Sequence, residues 1–335
     1  MAIGRVDGFQ RRHPVLGLPI AVVYKFFDDQ GNFLAAMITY YAFVAIFPLL
    51  LLASSIFGFV LQGRPELQEQ ALNSALAQFP IIGEQLGRPE GLTGSVTAVV
   101  VGSLAAVYGA LGLGQAVQNM MNTAWAVPRN SRPNPVLMRV RSLLLLLVAG
   151  LSVLGVSIVS AVGSSTEMYG ATANTGIRWG IRLLTVLLVT GVLTALFRLA
   201  GARRHRWTRV LPGALFVATG WQLLQQGGTV YATSVLSETT SLNQTFGLVL
   251  GLIGLIFIAA ILVVLGVEVN VVLGRRLWPR ALLTPFTDEV DLTDADRRAY
   301  ALYAQTQRHK GFESVIVRFD GRDGDTVEIE QREQR

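Results

Sequence analysis

The chain has 335 residues, of which 51% are apolar and only 15% charged, with a mean hydropathy of +0.47, whereas about a quarter of a soluble domain's residues are charged. The absence of cysteine excludes disulfides, thiolate metal sites and a cysteine nucleophile, and the three histidines His13, His205 and His309 lie too far apart in sequence to suggest a metal centre. A net charge of +6 would suit nucleic acid, but the basic residues fall in short loops between apolar blocks, so membrane topology accounts for them and no nucleic-acid partner is expected.

Residues 1–32 read as a cytoplasmic arm. Within it VLGLPIAVVYKFF is too short to cross a bilayer and mixes apolar with basic residues, which suits a helix lying among the headgroups and entering the first span at an elbow. The first long apolar block follows Asp28 and Asp29, too late and too long for a cleaved signal peptide. Residues 33–283 then predict an all-α membrane domain of six spans, at about Phe33–Leu61, Ser95–Met121, Leu143–Val162, Ile181–Ala200, Val210–Leu236 and Phe246–Leu273, each near the 20 or so apolar residues that a crossing helix needs. Between the first two, Pro65–Phe79 repeats apolar residues at helical spacing and reads as an amphipathic helix on the outer face.

Residues 284–335 form a charged cytoplasmic tail. Thr293 ahead of DADRRAYALYAQTQ predicts a capped surface helix, and SVIVRF and TVEIE about the turn-rich DGRDGD predict a β-hairpin. Asp320, Asp323 and Asp325 lack a following glutamate at calcium-loop spacing, so no calcium site is expected. There is no internal repeat to indicate an inverted-repeat transporter, and no GxxxxGK[ST] loop for binding ATP.

Cytoplasmic loops retain Lys and Arg. One side of a six-span topology collects fifteen: Arg5, Arg11, Arg12 and Lys25 in the arm; Arg129, Arg132, Arg139 and Arg141 after the second span; Arg203, Arg204, Arg206 and Arg209 after the fourth; and Arg275, Arg276 and Arg280 after the sixth. The other side has four, Arg64, Arg88, Arg178 and Arg182. Both ends are therefore expected in the cytoplasm.

Polar side chains inside apolar blocks are costly and normally face the bundle interior or a wet cavity. Glu268 and Asn270 precede Arg275 by seven and five residues, roughly 10 Å or less inside the cytoplasmic boundary. Gln115, Gln118 and Asn119 near the cytoplasmic end of the second span and Tyr40 and Tyr41 in the first lie at similar depth. Gln222, Gln225 and Gln226 share one face of the fifth span nearer the membrane middle. Together these ten residues are the candidates for lining a cavity or substrate path. For any one amide, a hydrogen bond tying two helices is the simpler account. Glu268 reads equally as a working carboxylate or as half of a structural ion pair, with Arg206 or Arg209 as partner. Glycines at seven-residue intervals, Gly102 and Gly109 in the second span and Gly213, Gly220 and Gly227 in the fifth, mark these two helices as central and closely packed.

AAMITYYAFVAIFPLLLL, GLGQAVQNMMNTAWAVPR, LPGALFVATGWQLLQQGGTVY, SLNQTFGLVLGLIGLI and LGVEVN, in that order from about Phe26 to Leu283, resemble the YihY/BrkB family of bacterial inner-membrane proteins. Where relatives carry a Gly-Ala-Glu-Leu-Asn type motif, this chain has Gly266, Val267, Glu268, Val269 and Asn270. The tail after Pro285 lies outside the shared pattern. The resemblance implies a multipass protein of the bacterial inner membrane with a role in the cell envelope. Members were once labelled ribonuclease BN and have been described as virulence or serum-resistance factors.

Three functions follow for comparison. The first is transport or handling of a lipid or other envelope component through a polar cavity, with membrane lipid as the immediate partner. The second is a noncatalytic scaffold whose basic face and tail recruit a protein partner. The third, the old ribonuclease label, finds no clustered carboxylates or histidine acid and base in the sequence. No enzyme and no cofactor are expected.

Overall fold

Apolar runs satisfy their backbone hydrogen bonds in lipid only by closing them within the segment, as helices. The computed structural model describes residues 7, 8, 10, 12, 14–60, 96–165, 175–202, 205–234, 241–284, 287–320 and 326–330. It has a short helix α1 (Pro14–Asp28) and then long helices α2 (Gly31–Val60), α3 (Val96–Ala124), α4 (Pro135–Ser165), α5 (Thr175–Ala200), α6 (Trp207–Ser234) and α7 (Ser241–Arg275). Each of the six segments read from the sequence as spans falls largely within one of these long helices. At 26 to 35 residues each is roughly 40–50 Å long. Over their described residues three of them, in the stretches Pro135–Val153, Leu183–Ala200 and Val249–Arg275, are long and apolar enough to cross a membrane. The predicted outer helix Pro65–Phe79 lies outside the described residues.

Each long helix packs on its neighbours in chain order, and α7 returns to α2, so the six close into a ring. Small residues set the approach. A Cβ on Gly109 would come within 2.9 Å of the Ala45 amide nitrogen in α2, one on Gly114 within 2.5 Å of Ser142 in α4, and one on Gly213 within 1.8 Å of the Gly266 carbonyl in α7. The expectation of two central helices holds for α3, which also reaches α5 and α7 across the ring, whereas α6 packs on its two chain neighbours. Gly220 meets Leu262, but Gly227 faces open space.

The end of the ring nearest α1 and the tail is solid. Met120, Met121, Trp125, Val210, Val264, Val267 and Val271 belong to one continuous buried core. Trp125 stacks on His205, ring centroids 3.7 Å apart, which joins the α3–α4 connection to the α5–α6 connection. Leu143, Leu147, Leu151, Leu183 and Leu187 project outward from α4 and α5, as lipid-facing residues do.

α1 lies against α7 and α2, burying Ala21, Val22, Lys25 and Phe26 while Leu16, Val23 and Phe27 face outward. An apolar outer face on a short helix suits the headgroup region. The elbow into α2 is made by Asp29 and Gln30, the latter at φ 55°, followed by Gly31, where a Cβ would strike the Phe26 ring at 2.3 Å. Beyond α7, α8 (Asp294–Thr306) and the antiparallel pair β1 (Ile316–Asp320) and β2 (Thr326–Glu330) form the tail, with Val317 opposite Ile329.

Candidate functional site

Two layers of buried charge occupy the junction of α1, the end of α7 and the tail. In the upper layer Glu268 is fully buried about two turns before α7 ends, and the Lys25 ammonium stands 3.6 Å from Glu268 Oε2. Lys25 also donates to Asp29 in the elbow, one helical turn further along, and its ammonium lies 5.1 Å from the centre of the Tyr303 ring on α8. Neither carboxylate oxygen of Glu268 has a hydrogen-bond donor within reach, and the buried Tyr303 hydroxyl likewise has no hydrogen-bond partner. Burial, reinforced by the nearby carboxylates, pushes the Tyr303 hydroxyl far up, so it stays neutral.

In the lower layer Arg280 is 1% exposed and bridges Asp296 of α8 and, at 3.2 Å, Asp28 at the end of α1. Burial opposes its charge, but the two carboxylates outweigh that and the guanidinium is held more firmly protonated. Burial also raises the Asp28 carboxyl above its ordinary range, against the pull of Arg280. Asp296 closes a capping box with Thr293 and accepts the Ala281 N–H at 3.0 Å. Thr293 Oγ1 donates to the Pro279 carbonyl at 2.9 Å. One acidic side chain therefore caps α8, anchors it to the segment leaving α7 and neutralises Arg280. The arm is fastened to the same segment, since Gln10 donates to the Arg280 carbonyl and Tyr24 to that of Leu282.

The structure separates the ten residues nominated from the sequence. Glu268 enters the charged junction, and its partner is Lys25 rather than Arg206 or Arg209, which lie exposed at the start of α6. Asn270 and Gln118 are helix ties. Asn270 Oδ1 accepts the Gly213 N–H at 2.7 Å, just after Pro212 disturbs the α6 hydrogen-bond ladder. Gln118 Nε2 donates to the Gly114 and Met138 carbonyls and to Ser142 Oγ, joining α3 to α4. Tyr40 is 56% exposed on the outer face of α2, and its ring stacks edge-on against half-buried Tyr41, which in turn meets Tyr108. Gln115, Asn119, Gln222 and Gln225 are half-buried and Gln226 is exposed. One cavity of about 250 Å³ opens between Arg209 of α6 and Arg276, and one of about 430 Å³ lies between α8 and β1; neither is lined by a nominated residue.

Sequence reasoning missed Lys25, Asp29, Arg280, Asp296 and Tyr303. It placed Lys25 and Arg280 among solvated loop charges, yet both are buried. The available signal was local: Lys25 and Asp29 have i, i+4 spacing at the end of an otherwise apolar run. Asn122 was also passed over; it is buried, and its Oδ1 has no hydrogen-bond partner. Among the described residues no group of His, Cys, Asp and Glu is arranged to hold a metal; Asp323 and Asp325 fall outside them.

The profile of a family described as virulence factor BrkB matches residues 22–285, which takes in α1 from Val22 through Arg280. The chain is 23% identical to the ribonuclease-like protein YfkH of Bacillus subtilis over 266 residues, covering 74% of this chain and 91% of that protein. It is 23% identical to the inner membrane protein YhjD of Escherichia coli over 269 residues, 75% of this chain and 79% of that one. A UPF0761 membrane protein of Methylibium petroleiphilum is 25% identical over 64% of this chain and 52% of its own length. No solved structure matches the chain.

Proposed function

The chain belongs to the virulence factor BrkB family, integral proteins of the bacterial inner membrane, and from that premise we propose that it moves or handles a lipid or another envelope component. The proposal takes α2 to α7 as six crossings with both ends in the cytoplasm, as the fifteen-to-four distribution of basic residues supports. It takes the packed cytoplasmic end as the closed side of the path, with Gln222 and Gln225 of α6 lying further into the membrane. The chain is read as noncatalytic; the word ribonuclease in a relative's name describes that relative.

One observation carries this reading. A carboxylate inside a crossing helix is costly and is usually kept for work, and Glu268 sits where the arm, the last long helix and the tail meet. An anchor between packed helices needs only the amides already supplied by Gln118 and Asn270.

The test is a mass-spectrometric survey of lipids and small molecules co-purifying with the wild type and with Glu268→Gln. A species enriched on the wild type and lost on the variant supports the reading and names the cargo. Bulk membrane lipid alone on both proteins contradicts it. A second reading, recruitment of a protein partner, is favoured by Phe312, 92% exposed in the turn before β1. In that case removing residues 285–335 abolishes function while Glu268→Gln spares it.

A further inference from the structure

Among the described residues, Lys25 is the one cation of a pocket that contains two carboxylates. The side chains of Asp29 and Glu268 are 1% and 0% exposed. Asp29 takes the Lys25 ammonium in direct hydrogen-bonding contact, which leaves Glu268 beyond bonding reach at 3.6 Å and with both oxygens lacking a donor. No other described cation is available. Arg280 is engaged by Asp296 and Asp28, α2 and α3 contain no charged residue, and Arg209 of α6 is exposed. The remaining facing group is the neutral Tyr303 hydroxyl from α8.

A buried ionised carboxylate with no hydrogen bond, and with its one counter-ion already bound to a second carboxylate, is not sustained in a dry pocket. Two carboxylates sharing one site avoid this by keeping a proton between them. We propose that Lys25, Asp29 and Glu268 form a proton-binding site, in which one exchangeable proton resides on the Glu268 carboxyl while α1 is docked. The proton leaves to cytoplasmic water and returns from it, with no bond to carbon made or broken. Its departure leaves a second negative charge facing the single ammonium, which loosens the seat of α1 on α7; its return reseats the helix. Use of this proton to drive an envelope component across the membrane rests on the proposed function; the proton site itself does not.

The test is infrared spectroscopy of the full chain in lipid, with and without 13C in the glutamate side-chain carboxyls. At neutral pH the wild type gives the carbonyl band of a protonated carboxylic acid. That band moves with the glutamate label, is absent from Glu268→Gln and is lost as pH rises. Asp29→Asn leaves Lys25 to Glu268 alone, so the band then disappears at lower pH than in the wild type. Absence of a labelled acid band from the wild type overturns the proposal, as does a band that persists in Glu268→Gln. The wild-type spectrum decides the matter even where a variant fails to fold. A lipid lost from Glu268→Gln without any acid band refutes the proton site and leaves the handling reading standing; an acid band without a Glu268-dependent lipid does the reverse.

Discussion

Position 213 has no room for a side chain: a Cβ there would overlap the Gly266 carbonyl and crowd Asn270. Because the opposing atoms are backbone, Gly213→Ala is expected to cost about 3 kcal/mol, the upper end for overpacking. Asn270→Ala, which removes the acceptor for the Gly213 N–H, costs about 1–2 kcal/mol. Thermal unfolding in detergent checks the order, and a Gly213→Ala protein as stable as the wild type would contradict the close α6–α7 contact. Asp28 gives a pH test. Its folded carboxyl is raised by burial, so the folded state binds its proton more readily than the unfolded state, and stability falls as pH rises through that interval. Asp28→Asn removes that fall, and its melting curve against pH should be flatter than that of the wild type over the interval. At this scale the sequence exposed the intramembrane polar residues but not their roles. Gln118 and Glu268 look alike as polar interruptions of apolar runs, and only their neighbours, Ser142 in one case and Lys25 in the other, tell a tie from a charged site. The burial of Lys25 depends on α1 folding back against α7, a contact 243 residues distant in the chain that no local pattern encodes.

The elements were legible because their signals are local. Blocks of twenty or more apolar residues give the long helices, Thr293 with Asp296 gives the start of α8, and the alternating SVIVRF and TVEIE stretches give β1 and β2. Their docking was not, since the seat of α8 is made by Arg280 and Asp296, which in the sequence resemble any solvated pair. Thr293→Ala removes the cap and the bond to Pro279, costing about 1 kcal/mol, and should speed amide exchange across 294–306 several-fold. Asp296→Ala strips Arg280 of its buried partner, and losses of this kind reach about 3–5 kcal/mol, enough to release the tail. Hydrogen exchange read by mass spectrometry measures both. Equal protection of 294–306 in the wild type and Asp296→Ala would show that the tail is held by other contacts.

For the molecule as a whole, the ring of six long helices and the bias of basic residues make a topology prediction. The natural chain has no cysteine, so single cysteines placed in it report accessibility without background. Cysteines at positions 134 and 288 should label only from the cytoplasmic side and one at 170 only from the other; any reversal contradicts the six-crossing arrangement. The membrane class and the family followed from the sequence because hydropathy and the shared motifs span most of the chain. The closure of the end beside α1 did not follow, because it is built from residues of the arm, all six long helices and the tail. The central proposal is that this protein handles a lipid or another envelope component through a state that depends on Glu268. It is tested most directly by melting purified wild type and Glu268→Gln against a panel of inner-membrane lipids, since a ligand that binds only the folded state raises its stability. The account predicts at least one lipid that raises the wild-type melting temperature by several degrees and leaves the variant unmoved; identical responses of the two proteins to every lipid would contradict it.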